Sequence, residues 1–214
     1  MKGRSFITLI IVGVLALMLF WGCGSYNNLV QQDETVKNAW NKVQSDYQRR
    51  ADLIPNLVNT VKGEANFERG TLNDVINARA KATSVQLNSD QLTDENIQKF
   101  QQAQAQLSGS LSRLLVTVEQ YPQLRANDAF RNLQAQLEGT ENRIKVSRND
   151  FNDAVQVYNT QVRRFPTAMF AGVFGFRPRQ GFTADAGSEN APRVDFGDQQ
   201  RPSVNFNDTT KTTR

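Results

Sequence analysis

The sequence predicts an all-α protein: an antiparallel up-and-down four-helix bundle of long helices behind an N-terminal transmembrane helix, with a disordered C-terminal tail. Three observations predict it. Residues 6–24 form an apolar run in which only Thr8 is distinctly polar, and no charge occurs between Arg4 and Asp33. Between Leu29 and Phe165 apolar side chains recur every three or four positions, interrupted only by Gly63, Gly70, Gly109, Gly139, Pro55 and Pro122. That is the pattern of amphipathic helices, not strands. Beyond Arg177-Pro178-Arg179 the chain turns rich in Gly, Ser, Asn and Asp. The divisions expected are a short basic terminus (1–5), the transmembrane helix (6–24), the bundle (25–176) and a flexible tail (177–214).

The apolar run is long enough to span a bilayer with modest tilt. Trp21 and Tyr26 stand at its far end, where amphipathic rings prefer the interface, and Lys2 and Arg4 mark the near end as cytoplasmic. The body then lies outside the cytoplasm, on a single-pass anchor. Two processing readings compete. A cleaved secretory signal needs a small-x-small exit, which Phe20-Trp21-Gly22 fits poorly. In a lipoprotein, Gly22-Cys23 would end a lipobox and Cys23 would carry the lipid. All three put the body at a membrane surface or beyond it.

The first apolar stripe reads Val36, Trp40, Val43, Tyr47, then Ile54, Leu57, Val61, Ala65, Leu72 and Val75, with Arg50, Glu68 and Arg79 occupying stripe positions. Pro55 marks either a kink in one long helix or a chain reversal. Helix levels favour a reversal at Arg50-Ala51-Asp52, with Asp52 as N-cap, because a straight helix would leave Trp40, Val43 and Tyr47 without partners. Leu87-Asn88-Ser89-Asp90 is the next turn, and Thr93-Asp94-Glu95 caps a second stripe of Ile97, Phe100, Gln104, Leu107, Leu111, Leu114 and Val118. Tyr121-Pro122 interrupts the chain before the last stripe, which runs from Phe130 through Leu137, Glu141, Ile144, Arg148, Phe151, Val155, Tyr158 and Val162 to Phe165. Pro166 supplies the stop.

Composition narrows function. The 25 Lys and Arg against 21 Asp and Glu give a net charge of +4, but much of the basic excess lies outside the body, so no nucleic-acid footprint is expected. There is no histidine, which removes the usual general base near neutral pH and the commonest metal ligand, and the single cysteine allows no internal disulfide. The expectation is a protein that is not an enzyme and takes no cofactor.

Polar residues on the core stripe are the candidate site: Arg50, Glu68, Arg79, Gln104, Glu141 and Arg148. A charge there must be paired or hydrogen-bonded. Level counting sets Arg79 within about one to one and a half turns of Glu141 and predicts that they pair. The stripe either fixes helix register or lines a polar cavity for a ligand or ion. Arg49-Arg50 and Arg163-Arg164 are read as solvated faces or as contacts for lipid head groups and acidic partners. The apolar residues Met169, Phe170, Val173, Phe174 and Phe176 are expected to pack across the bundle end. In the tail, Pro-x-Val-x-Phe occurs twice at a spacing of ten, presenting Val194 and Phe196, then Val204 and Phe206, at the alternation that an added β-strand uses. They are candidate recognition residues.

Several of these residues carry a resemblance. Tyr26-Asn27-Asn28-Leu29-Val30, Ala39-Trp40, Arg49-Arg50-Ala51-Asp52-Leu53-Ile54-Pro55-Asn56-Leu57-Val58, Val61-Lys62-Gly63, Tyr121-Pro122, Thr140-Glu141, Tyr158-Asn159, Phe165-Pro166 and Gly175-Phe176 resemble the LemA family over about residues 24–197. The resemblance implies a four-helix bundle behind a transmembrane helix in a bacterial envelope, with no established molecular activity. The family has also been drawn with the body inside the cell, opposite to the orientation that Lys2 and Arg4 support. The function expected is that of a membrane-anchored interaction or scaffold protein, with an unknown envelope protein as partner and homo-oligomerisation left open. A ligand-sensing bundle and a purely structural spacer are the alternatives.

Overall fold

The computed structural model describes residues 2–64 and 67–183, without the side chains of residues 2–8, 11, 14–21 and 90. Among the described residues all regular structure is helical: α1 (Lys2–Lys62), α2 (Arg69–Ser84), a 3-10 turn (Ser89–Gln91), α3 (Asp94–Val118), α4 (Pro122–Ala126), α5 (Asp128–Arg163) and α6 (Thr167–Ala171). The chain falls into two units, Met1–Phe182 and Thr183–Arg214. The tail residues Val194, Phe196, Val204 and Phe206 lie outside the described residues.

The reversal expected near Pro55 does not occur. α1 runs unbroken through Pro55 for 61 residues, about 92 Å. The chain turns instead after Lys62, where Gly63 leaves the helix; a Cβ there would come to 3.3 Å from the Thr60 carbonyl oxygen. Moving the turn along the chain, from Arg50-Ala51-Asp52 to Gly63, removes the difficulty with helix levels. From Trp40 to Val61, and from Ile97 to Val118, the rise is about 32 Å in each case. The α2–α3 connection and the start of α3 therefore reach Trp40, Val43 and Tyr47, which are buried.

Two core clusters follow. One gathers Leu29, Val36, Trp40, Val43 and Tyr47 of α1 with Leu87, Ile97 and Phe100, and with Ile144, Phe151, Val155, Tyr158 and Val162 of α5. The other gathers Ile54, Leu57 and Val61 with Leu72 and Val75 of α2, Leu107 to Val118 of α3, and Phe130 and Leu137 of α5. α1 and α5 therefore run in opposite directions along their shared length. Fully burying each large apolar side chain contributes about 1.5–3 kcal/mol. Trp40 is the largest of them; its Nε1 donates to the Leu87 carbonyl at 2.8 Å, which ties the α2–α3 connection to α1.

Local signals set the helix ends. Thr93 caps α3 by accepting from the Asn96 N–H, with Asp94 and Glu95 in the first turn, as expected. Pro122 opens α4, and the Asn127 side chain accepts from the N–H groups of Ala129 and Phe130 to begin α5. Among the described residues no helix is long and apolar enough to cross a membrane. The transmembrane helix expected at 6–24 falls mostly on residues whose side chains lie outside the described set. Its described members Leu9, Ile10 and Val12 are exposed, as is Cys23.

Candidate functional site

The stripe residue on which the helices converge is Arg50. It shares a face of α1 with Tyr47, Ile54 and Leu57, and only 2% of it is exposed. Its guanidinium leaves α1 and divides: Nη2 donates to Gln104 Oε1 at 2.7 Å, and Nη1 donates to Ser108 Oγ at 2.9 Å and to Glu141 Oε2 at 2.8 Å. Gln104 in turn donates to the Ala82 carbonyl at 3.4 Å. One planar fork thus joins α1 to α3 and α5, and reaches the end of α2 through an amide. The Tyr47 ring lies 5.1 Å from the guanidinium carbon, within range of a cation–π attraction. Arg50 Nε is buried without a partner.

The predicted pair of Arg79 and Glu141 is not formed. Glu141 belongs to Arg50 and keeps 61% of its side chain in solvent. Arg79 Nε donates to the Ala51 carbonyl at 2.7 Å. The cause is Pro55, which has no N–H with which to reach back four residues to that carbonyl. α1 survives its internal proline because a side chain from α2 takes up the freed acceptor. Arg50 also leaves the expected solvated pair: Arg49 is exposed, and Arg50 is core.

The other stripe candidates separate. Glu68 is exposed ahead of α2, where Thr71 Oγ1 donates to it at 3.3 Å. Arg148 is half-buried, with its guanidinium carbon 4.7 Å from the centre of the Phe182 ring. The arrangement therefore brings together Arg50, Gln104 and Glu141, sets Arg79 beside them on the backbone, and leaves Glu68 and Arg148 apart.

A second polar assembly was not anticipated. Residues 177–182, assigned to the flexible tail by sequence, lie against α5 and belong to the first unit. Asn159 donates to the Arg179 carbonyl at 2.7 Å and accepts its N–H at 2.8 Å; Asn152 treats Phe182 in the same way, at 3.2 and 2.8 Å. The two asparagines stand about two turns apart along one face of α5, and each satisfies one residue of an extended strap as a β-strand neighbour would. Arg179 Nη2 also meets Asp33 of α1 at 2.7 Å, both side chains being largely buried, and its Nη1 donates to the Ser89 carbonyl at 2.6 Å. Phe182 then stacks on Trp40 and stands edge-on to Phe151. Tyr158 Oη donates to the Arg177 carbonyl at 3.0 Å, and burial, with the Asp33 charge adding to it, pushes the phenol pKa up. The spacing of Asn152 and Asn159 on the inward side of α5 was the available signal, since mid-helix asparagine is otherwise unfavourable.

Residues 39–196, most of the chain, match the LemA family model. The chain belongs to the LemA family. Among its relatives, magnetosome protein MamQ 2 of Paramagnetospirillum magneticum is 24% identical over 81% of this chain and 71% of its own length. Protein LemA of Metamycoplasma hominis is 20% identical over 77% of this chain and 71% of its own. Magnetosome protein MamQ of Magnetospirillum gryphiswaldense is 32% identical over 32% of this chain and 25% of its own. In this LemA-family chain, the residues that carried the resemblance turn out to be structural contacts: Trp40 on the Leu87 carbonyl, Arg50 at the helix junction, Pro55 answered by Arg79, and Asn159 clasping the strap.

Proposed function

We propose that this protein is a non-catalytic scaffold of the bacterial envelope: a single-pass anchor with a cytoplasmic N-terminus, a rigid up-and-down bundle outside the cytoplasm, and a tail offered to another envelope protein. The observation that carries the reading is the continuity of α1, whose first third holds the apolar run and whose remainder lies in both core clusters. Anchor and bundle are one helix, so force or position at the membrane passes into the bundle without a hinge. The exposure of Leu9, at 71%, and of Val12 fits a lipid environment for that first third. The buried polar groups serve the same purpose, because Arg50 spends its Nη donors on other helices.

In-cell cross-linking of the full-length chain, compared with one truncated after Phe182 so that the first unit stays whole, tests the reading. A dominant partner that disappears with the tail supports the scaffold and makes Val194, Phe196, Val204 and Phe206 its recognition element. Self-cross-links alone in both forms replace it with a self-assembling bundle.

The unpartnered Arg50 Nε favours one second reading, a sensor with a small polar ligand near the stripe. Beside Arg50, a cleft of about 380 Å³ is lined by Gln44, Gln48, Thr83, Gln86 and Gln104. A Glu141→Gln protein that stays folded but loses a co-purifying small molecule would support the sensor; a stability change with no such loss removes it.

A further inference from the structure

An apolar surface at one end of the molecule is left mostly uncovered by the fold. Phe165 is 77% exposed and Val173 82% exposed, and Met169 and Phe174 are exposed beside them, all on α6 and its flanks. Sequence reasoning placed Phe165 at the end of the α5 core stripe and Met169, Phe170, Val173, Phe174 and Phe176 across the bundle end; instead Phe165 is exposed, because the stripe outruns its partners, and of α6 only Thr167 and Ala171 are buried, with Phe170 and Phe176 half-buried. The location of the surface is fixed by Tyr26, whose ring stands edge-on to Phe174 at 5.1 Å and to Phe176 at 5.8 Å. Tyr26 lies on α1 just past the apolar run, a rise of about 3 Å beyond Gly24. The head-group layer on each face of a bilayer is about 5–7 Å deep. If residues 6–24 span the membrane, Tyr26 lies within that layer and Phe174 packs against it.

Charge agrees with position. From Asp153 to Asp185 the chain carries no acidic residue between those two, whereas Arg163, Arg164 and Arg177 are exposed around the apolar surface. On α1 the first acidic residue, Asp33, is held by Arg179. An apolar patch bordered by arginine and free of carboxylates suits the boundary between acyl chains and anionic head groups.

We propose that α6 and its flanks form a second membrane contact, in which Phe165, Met169, Val173 and Phe174 enter the interface of the bilayer that α1 crosses while Arg163, Arg164 and Arg177 bind anionic head groups. The contact rests on the anchor reading above. It would fix the tilt and rotation of the bundle on the membrane, which a single spanning helix leaves free.

The test uses the full chain carrying Cys23→Ser in vesicles with and without phosphatidylglycerol, with a nitroxide placed by Val173→Cys, Val12→Cys or Val146→Cys. Val146 is exposed midway along α5 and serves as the aqueous reference. The expected result is that oxygen relaxes the label at 173 more than a nickel chelate does, as at 12 and opposite to 146, and that Arg163→Glu with Arg164→Glu shifts 173 towards water in the anionic vesicles. A label at 173 that behaves like 146 while 12 remains in lipid overturns the second contact and leaves the anchor standing. A label at 12 that behaves like 146 overturns both. Spin–spin broadening at 173 that vanishes on dilution with unlabelled chain shows that a second copy covers the surface, and also overturns the proposal.

Discussion

Arg79→Met and Pro55→Ala should be strongly non-additive. In the native chain Ala51 is buried, and its carbonyl depends on Arg79 Nε at 2.7 Å because Pro55 offers no N–H. Arg79→Met keeps the apolar stem and removes the donor, leaving a buried acceptor unmet, at a cost of about 1–3 kcal/mol. Pro55→Ala alone restores an N–H and relieves a helix-interior proline, a change worth up to about 3 kcal/mol in favour of the fold. Once the alanine of the Pro55→Ala chain supplies the hydrogen bond, Arg79→Met should cost no more than about 0.5 kcal/mol, so the coupling energy lies between about 0.5 and 3 kcal/mol. Urea unfolding in micelles, followed by the emission of buried Trp40 in a Trp21→Phe background, measures all four corners of the cycle. Additivity within about 0.5 kcal/mol would refute the pairing of proline and arginine. So would destabilisation by Pro55→Ala, because it would mean that α1 needs the proline.

Three further outcomes are expected. Arg50→Met should destabilise the chain by about 1–3 kcal/mol, because Gln104 loses its partner, whereas Arg50→Met with Gln104→Leu should recover most of that loss and Glu141→Gln alone should cost under about 1 kcal/mol; the same unfolding assay reads all three. Asn152→Ala with Asn159→Ala should release residues 177–182, seen as faster tryptic cleavage after Arg179 with the helical content unchanged. Stability should fall as pH rises above about 10, because the protonated Tyr158 phenol is favoured in the fold and its stabilisation is lost only above its raised pKa. Lys37, raised by its hydrogen bonds to Glu34 and Asp33, adds in the same direction and window, though weakly at an exposed site. Thermal melts of Tyr158→Phe should show a flatter decline there than the parent.

Apart from Phe165, the apolar members of the stripes that the structure describes were legible in the sequence because burial follows a local period. Every member of the second stripe, from Ile97 to Val118, is buried. What the period cannot convey is where one stripe ends and the next begins. Pro55 looked like punctuation and Gly63 did not, since the phase ran on through both; only the partner from α2 decides that the proline is tolerated. Glu141 and Arg79 were placed by level counting that inherited the wrong turn, so their pairing was wrong for the same reason. The strap escaped because its hydrogen bonds join asparagine side chains to backbone, and a backbone partner leaves no mark on the residue types around Arg179 and Phe182.

The two polar assemblies have a common logic. Each stands where an apolar helix surface has no means of selecting one alignment over another: Arg50 at the junction between the two core clusters, and Asn152 and Asn159 along the part of α5 that meets the strap. Apolar stripes can slide by a turn at modest cost, whereas a guanidinium that must reach Gln104, Ser108 and Glu141 together satisfies only one register. The same holds for two asparagines that must each meet an N–H and a carbonyl. In the proposed scaffold, fused to its anchor through one helix, that selectivity matters more than extra stability, because a slip of one turn in α5 would carry α6, with Phe165 and Val173, about 5.4 Å along the axis of α1. That distance is comparable to the depth of the head-group layer, so under the proposed second membrane contact register in the core decides whether α6 meets the bilayer.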